Sequence, residues 1–154
     1  MVSYIVVNLR GRINATERVK RTLRMLNIPK KHMATIVPNS ASYIGMLNKV
    51  RQRVAWCEAN IEMVKMLLEK RGRKLGDKRL TEEDVKALGF NSFEDFAKAL
   101  VEDKVRLKDF EQLKPFFRLS PPRKGFLRST RREHPQGGVL GYNPELPKLI
   151  ERMV

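Results

Sequence analysis

Apolar and polar positions change period along this chain, and the changes predict its elements. Tyr4-Ile5-Val6-Val7 is a short, largely β-branched run that reads as a buried strand, ending where Gly11 punctuates Arg10-Gly11-Arg12. Asn14 and Glu17 have the spacing of a capping box, followed by Val19, Leu23 and Leu26 on one helical stripe and Arg18, Lys20, Arg21 and Arg24 on the other face. The helix must stop before Pro29, and Met33 to Val37 is a second β-rich run closed by Pro38-Asn39. Ser40 is placed to cap a second helix with Tyr43, Met46, Leu47, Val50 and Val54 along one stripe, and Ala55-Trp56-Cys57 reads as a third strand.

Beyond residue 58 the period becomes helical. Ile61, Val64, Leu67 and Leu68 make a stripe that runs into a polar turn region from Lys70 to Arg79, and Thr81/Asp84 and Ser92/Asp95 are two N-cap pairs separated by a stop at Gly89. Phe116 to Leu119 reads as a further strand. Ser120 to Tyr142, rich in proline, glycine and basic residues and without periodicity, reads as a long loop. Asn143-Pro144 then opens a last helix with Leu146, Leu149, Ile150 and Met153 on one face. The expected fold class is α+β. A small βαβαβ sheet, ferredoxin-like in style with two helices on one face, precedes a helical insert and a basic C-terminal extension. Three segments result: a core over 1–58, an insert over 59–113, and a basic loop with a terminal helix packing back on the core over 114–154.

Charge changes the picture more than hydropathy does. The chain has 154 residues with 32 Lys+Arg against 17 Asp+Glu, a formal charge of +15. The excess is uneven: the first 58 residues hold only Glu17 and Glu58 as acids, whereas residues 80 to 113 are net acidic. Basic ends flanking an acidic insert predict that the ends touch a polyanion and the insert does not. With 42% hydrophobic residues the chain has material for a core, which argues against a disordered polycation. No apolar run reaches the roughly 20 residues of a membrane span and no signal peptide is recognisable, so a cytoplasmic protein is expected.

Candidate chemistry is sparse. A single cysteine, Cys57, and two histidines offer no disulfide and no zinc cluster, and no cofactor is expected. Gly137 to Gly141 resembles a phosphate loop only superficially, because no clear strand precedes it. Glu82, Glu83 and Asp84 read as first-turn acids complementing a helix dipole rather than as catalytic groups. An enzyme is not expected. The candidates for contact with a polyanion are instead Arg10, Arg12, Lys30, Lys31, His32, Lys49, Arg51 and Arg53 in the first segment. In the last segment they are Arg118, Arg123, Lys124, Phe126, Arg128, Arg131, Arg132 and His134. Guanidiniums fork onto phosphates, and Phe126 is available either to stack on a base or to pack on the core. Because Arg10 to Arg12 precede the first helix and Lys30 to His32 follow it, the two clusters are expected to reach different parts of a partner.

These residues carry a resemblance. Gly45-Met46-Leu47-Asn48-Lys49-Val50 within Pro38 to Val50, after a helix containing Lys20, Arg21, Leu23 and Leu26, resembles the signature of the large-subunit ribosomal protein thirty family. Ala55-Trp56-Cys57-Glu58, Phe117 to Arg123 and Pro135 to Tyr142 resemble its archaeal and eukaryotic branch, while the bacterial form is similar only over 1–58. Without the long basic N-terminal extension of the eukaryotic form, an archaeal type is expected. Pro38-Asn39-Ser40-Ala41 departs from the family's usual Pro-Asp-Thr-Pro but keeps a capping hydroxyl. The resemblance implies a structural, non-enzymatic constituent of the large ribosomal subunit that binds 23S rRNA, leaving open whether 5S rRNA lies near, among neighbouring ribosomal proteins. The alternative is a non-ribosomal RNA-binding module or an RNA-processing subunit. Lys124-Gly125-Phe126 begins like an RNA-recognition-motif signature, but Leu127-Arg128-Ser129 departs from it.

Overall fold

A computed structural model of the chain describes residues 2–154. The first strand, β1 (Tyr4–Asn8), is followed by helix α1 (Glu17–Met25), strand β2 (Met33–Val37), helix α2 (Ala41–Val50) and strand β3 (Val54–Glu58). Both β2 and β3 pair antiparallel with β1 and so run parallel to each other with β1 between them. Only the connection through α2 therefore joins parallel strands. Alternation along these strands separates two cores. Val6, Met33, Val37, Val54 and Trp56 face Leu23 and Leu26 from the first helical hairpin unit and Leu47 and Val50 of α2. Ile5, Val7, Ala34, Ala55 and Cys57 face the opposite layer.

That second layer is built by α3 (Ile61–Arg71), α4 (Glu82–Ala87), α5 (Phe93–Val101) and α6 (Leu146–Met153). Ser92 caps α5, and Thr81 with Asp84 forms a reciprocal capping box on α4. Every member of the α6 stripe is buried. Phe90, Phe96 and Phe110 meet edge to face or tilted, with ring centroids 4.8 to 6.2 Å apart, and anchor α5 under α3. Burial also pushes the Cys57 thiol up to about 12, with Glu58 adding to the shift, so this cysteine is a sheet residue and not a nucleophile.

Several boundaries differ from the expected ones. The cap of α1 is Thr16, whose hydroxyl accepts from the Val19 amide, while Asn14 lies in a left-handed conformation at φ 58° outside the helix. Val54 belongs to β3, because α2 ends at Val50 and a three-residue turn reverses the chain. The proline in the first turn of α6 is Pro147; Asn143 instead accepts from the Glu145 amide and so starts the turn before the helix.

The largest correction concerns 120–142. After the two-residue strand β4 (Phe117–Arg118) on the β2 edge, this segment forms β5 (Ser129–Glu133) and β6 (Gly138–Tyr142). Strand β6 inserts parallel to β3, giving the order β4-β2-β1-β3-β6-β5. Only Val139 and Leu140 lie between Gly138 and Gly141, so the apolar run is too short, and too framed by glycine, to read as a strand. Gly138 explains the glycine run: a Cβ there would lie 1.8 Å from the Arg132 carbonyl oxygen, so glycine admits the neighbouring backbone. The run is a pairing device rather than a phosphate loop.

Candidate nucleic-acid interface

The antiparallel register delivers the C-terminal end of β1 and the N-terminal ends of β2 and β3 to the same end of the sheet. Three loops therefore meet there. The Leu9 amide donates to the Arg53 carbonyl at 3.0 Å, and the His32 amide donates to the Asn8 carbonyl at 2.7 Å. Asn8, fully buried, donates through its side chain to the Ile28 carbonyl at 2.7 Å and accepts from the Gly11 amide at 2.8 Å. Gly11, at φ 71°, lies so close to Lys31 that a Cβ would be 3.5 Å from that residue's own Cβ. Arg10-Gly11-Arg12 and Lys30-Lys31-His32, expected to reach different parts of a partner, are thus side by side. Their separation in sequence is undone by strand pairing.

The C-terminal segment joins the same end. The Leu119 amide donates to the His32 carbonyl at 2.9 Å, and the Phe126 ring lies parallel to the His32 ring with centroids 6.2 Å apart. Arg152, at the end of α6, donates to the carbonyls of Arg123 at 3.2 Å and Gly125 at 2.7 Å, while Arg71 at the end of α3 donates to Ser120 Oγ at 2.8 Å. Arg51 pairs with Glu133 at 3.3 Å, tying β5 to the α2–β3 turn.

Within this end the candidates divide by what they touch. Arg12, Lys30, Lys31, Arg123, Lys124, Arg131 and Arg132 are exposed and have no carboxylate within ion-pair distance among the described residues. Arg10 is exposed but donates to the Gln52 carbonyl at 3.2 Å. Arg53 donates to the carbonyls of Gly11 at 3.3 Å and Ile13 at 2.9 Å, so it braces the β1–α1 loop. Burial, with Arg10 nearby, lowers its pKa. Lys49 stands one turn back, in the last turn of α2. Arg128 and His134 are drawn aside toward Glu145, at 3.2 and 3.8 Å, and Arg118 toward Asp77, which also binds Lys114. Phe126 is half-buried and packs against the core. His32 is partly buried in a left-handed conformation at φ 65°, and burial, reinforced by Lys31, holds its pKa below the usual histidine range.

Sequence reasoning missed the concave part of this surface. A cleft of about 730 Å³ opens between the α1–β2 loop and β4, with Arg24, Lys30, Lys31 and Arg118 around it and Phe116 and Leu119 in its wall. The Arg118 guanidinium carbon lies 5.6 Å from the centroid of the Phe116 ring. The available signal was the spacing of two between Phe116 and Arg118 in an extended segment, which puts both side chains on one face. No group of three or more His, Cys, Asp or Glu side chains arranged to hold a metal occurs among the described residues, and no helix is long and apolar enough to cross a membrane.

An α+β sheet that gathers separate cationic loops at one end has the form of a polyanion-binding scaffold. Comparison with known proteins names the family. The model for ribosomal protein L30p/L7e matches residues 4–54, the stretch from β1 to the start of β3. The large ribosomal subunit protein uL30 of Cenarchaeum symbiosum is 40% identical over 152 residues, covering 99% of this chain and 98% of its own length. That of Methanocorpusculum labreanum is 43% identical over 152 residues, covering 97% and 99%. That of Thermofilum pendens is 41% identical over 156 residues and covers 100% of both chains. The chain belongs to the family of large ribosomal subunit protein uL30, a structural family and not an enzymatic one, as its sequence signature implied.

Proposed function

We propose that this chain is held in the large ribosomal subunit by the basic end of its sheet, which binds phosphates of large-subunit rRNA. The observation that carries this reading is the convergence of Arg12, Lys30, Lys31, Arg123, Lys124, Arg131 and Arg132 without carboxylate partners among the described residues. So many like charges gathered together repel one another unless a polyanion offsets them. Arg10, Lys49 and Arg51 flank the same surface and add to its field. Arg53, His32 and Phe126 serve it indirectly by bracing the loops, and Arg118, Arg128 and His134 line its margin. The partner is large-subunit 23S rRNA, and the acidic stretch of α4 and α5 is turned to solvent or to a basic neighbouring protein.

Salt dependence tests this directly. With six to ten phosphate contacts, affinity for a large-subunit rRNA fragment falls by roughly 10³ to 10⁵ between about 50 and 200 mM salt. A flat response overturns the phosphate reading. Sedimentation with the large subunit on a sucrose gradient separates this role from that of a free RNA-processing subunit, which would remain near the top.

A further inference from the structure

The exposed cations explain how a surface follows an RNA backbone, but not why the same end contains a hollow. The cleft beside β4 has the volume of a small-molecule site, about 730 Å³, where sites for compact organic ligands run from roughly 300 to 1,000 Å³. Its chemistry is divided. Lys30 and Lys31 stand exposed at the α1–β2 loop, and no carboxylate lines the hollow. The wall is apolar and aromatic, formed by Met33, Leu119 and the half-exposed Phe116. Arg118 lies over the Phe116 ring and its charge is already met by Asp77 at 3.4 Å, so its planar face matters more here than its charge. A ligand suited to this arrangement has a flat aromatic part and an anionic part joined by a short linker.

We infer that the cleft receives one unpaired nucleotide of the rRNA, with its base against Phe116 and Arg118 and its flanking phosphates on Lys30 and Lys31. This rests on the preceding reading that the basic end faces rRNA, and it adds what that reading lacks, a point of selection. Paired bases keep their faces in the stack, whereas bases of loops and bulges can be splayed onto aromatic rings and guanidinium planes. Backbone phosphates alone would give affinity with little choice among RNA helices. A pocket for an extruded base restricts the protein to a place where such a base exists.

The test uses the full chain and transcribed large-subunit rRNA, with 2′-hydroxyl acylation read at each nucleotide. Wild-type protein should change the reactivity of one or a few unpaired nucleotides. Phe116→Leu, which keeps an apolar side chain but removes the ring, should restore the free-RNA reactivity at those nucleotides alone. It should also weaken binding roughly tenfold, as loss of one base–aromatic stack does, with the salt slope unchanged. Arg118→Ala should affect the same nucleotides, and Lys30→Ala should instead lower the salt slope by about one. Circular dichroism melting confirms that each variant folds; Arg118→Ala, exposed at the sheet edge, carries the test if Phe116→Leu does not. Wild-type footprint and affinity in a folded variant of either ring-face residue overturn the nucleotide cleft while leaving the phosphate reading intact. Equal wild-type affinity for a phosphoserine peptide and for a short single-stranded oligonucleotide also overturns it. Failure of the wild-type protein to bind the rRNA overturns both readings.

Discussion

The acidic helical layer and the basic end of the sheet manage charge in opposite ways. In the layer, carboxylates are met by near neighbours in sequence: Glu94 by Lys98 at 3.2 Å, Glu102 by Lys104 at 2.5 Å, Asp103 by Arg106 at 3.5 Å and Asp84 by Lys74 at 2.8 Å. The contacts with Lys74 and Thr81 hold the Asp84 carboxyl at about 2, below its ordinary value. Such exposed pairs contribute little to stability, and beyond them the layer stays net acidic, with Glu82, Glu83, Asp95 and Glu111 outside any ion pair among the described residues. At the basic end, cations from loops more than a hundred residues apart are brought together, and the few acids there, Asp77, Glu133 and Glu145, sit at its margins. One region pairs part of its charge with near neighbours and is left net acidic. The other is left with charge that only an external partner neutralises.

The largest effect that could break this contrast comes from removing equal numbers of charges from each region. Combining Arg12→Ala, Lys31→Ala, Lys124→Ala and Arg131→Ala should cost about 10³-fold in rRNA affinity at roughly 100 mM salt, from four lost counterion-releasing contacts. Combining Glu94→Gln, Glu102→Gln, Asp103→Asn and Glu111→Gln should leave affinity within about threefold, since screened charges distant from the interface act weakly. Filter binding on both variants checks this, and equal losses would erase the distinction between the regions.

Next in size is the dependence of the basic end on the core beneath it. Leu140, 1% exposed, holds β6 against the helical layer and so places β5 with Arg131 and Arg132. Leu140→Ala should lower unfolding free energy by about 3 kcal/mol in urea titrations, the usual cost of truncating a buried leucine. Near-neutral stability would mean that β6 is not part of the cooperative core.

The smallest expected effect is a pH dependence. Because burial lowers the folded pKa of His32, the unfolded chain takes up a proton near pH 6.5 that the folded chain does not. Stability from this source is complete above about pH 6.5 and is lost as pH falls below it, toward the lowered folded pKa. The urea midpoint should drop between about pH 7 and pH 5 in the wild type, and drop less in His32→Gln. An unchanged pH response in that variant would show that burial of His32 does not set this pH dependence.

How much was legible depended on the range of the interactions. Ser40, Thr81 and Ser92 each cap their helices through the amide three residues on, which a local pattern displays. Asn14 misled because the residue type suits a cap and a left-handed turn equally, and only the path of the β1–α1 loop, braced by Arg53, selects the latter. Most candidate cations were identifiable by type and context, but their sorting into exposed, bracing and marginal groups was not. Of the cleft, only the Phe116/Arg118 spacing was local; its other walls, Arg24 and Lys31, join it only through the fold.

The sequence by itself determined the short-range features: the short β-rich runs of β1 to β3, the helical stripes, most of the caps, the uneven charge and the family signature. Each depends on residues a few positions apart, so local sterics and the need to bury apolar surface suffice. Tertiary structure alone decided which loops share an end. That outcome depends on strand order and register: Arg12 and Lys31 became neighbours because β1 and β2 pair antiparallel, and Glu133 met Arg51 because β6 found the free edge of β3. Edge pairing satisfies backbone hydrogen bonds that nearly any residue supplies, so the side-chain pattern of Ser120 to Tyr142 carried little trace of it.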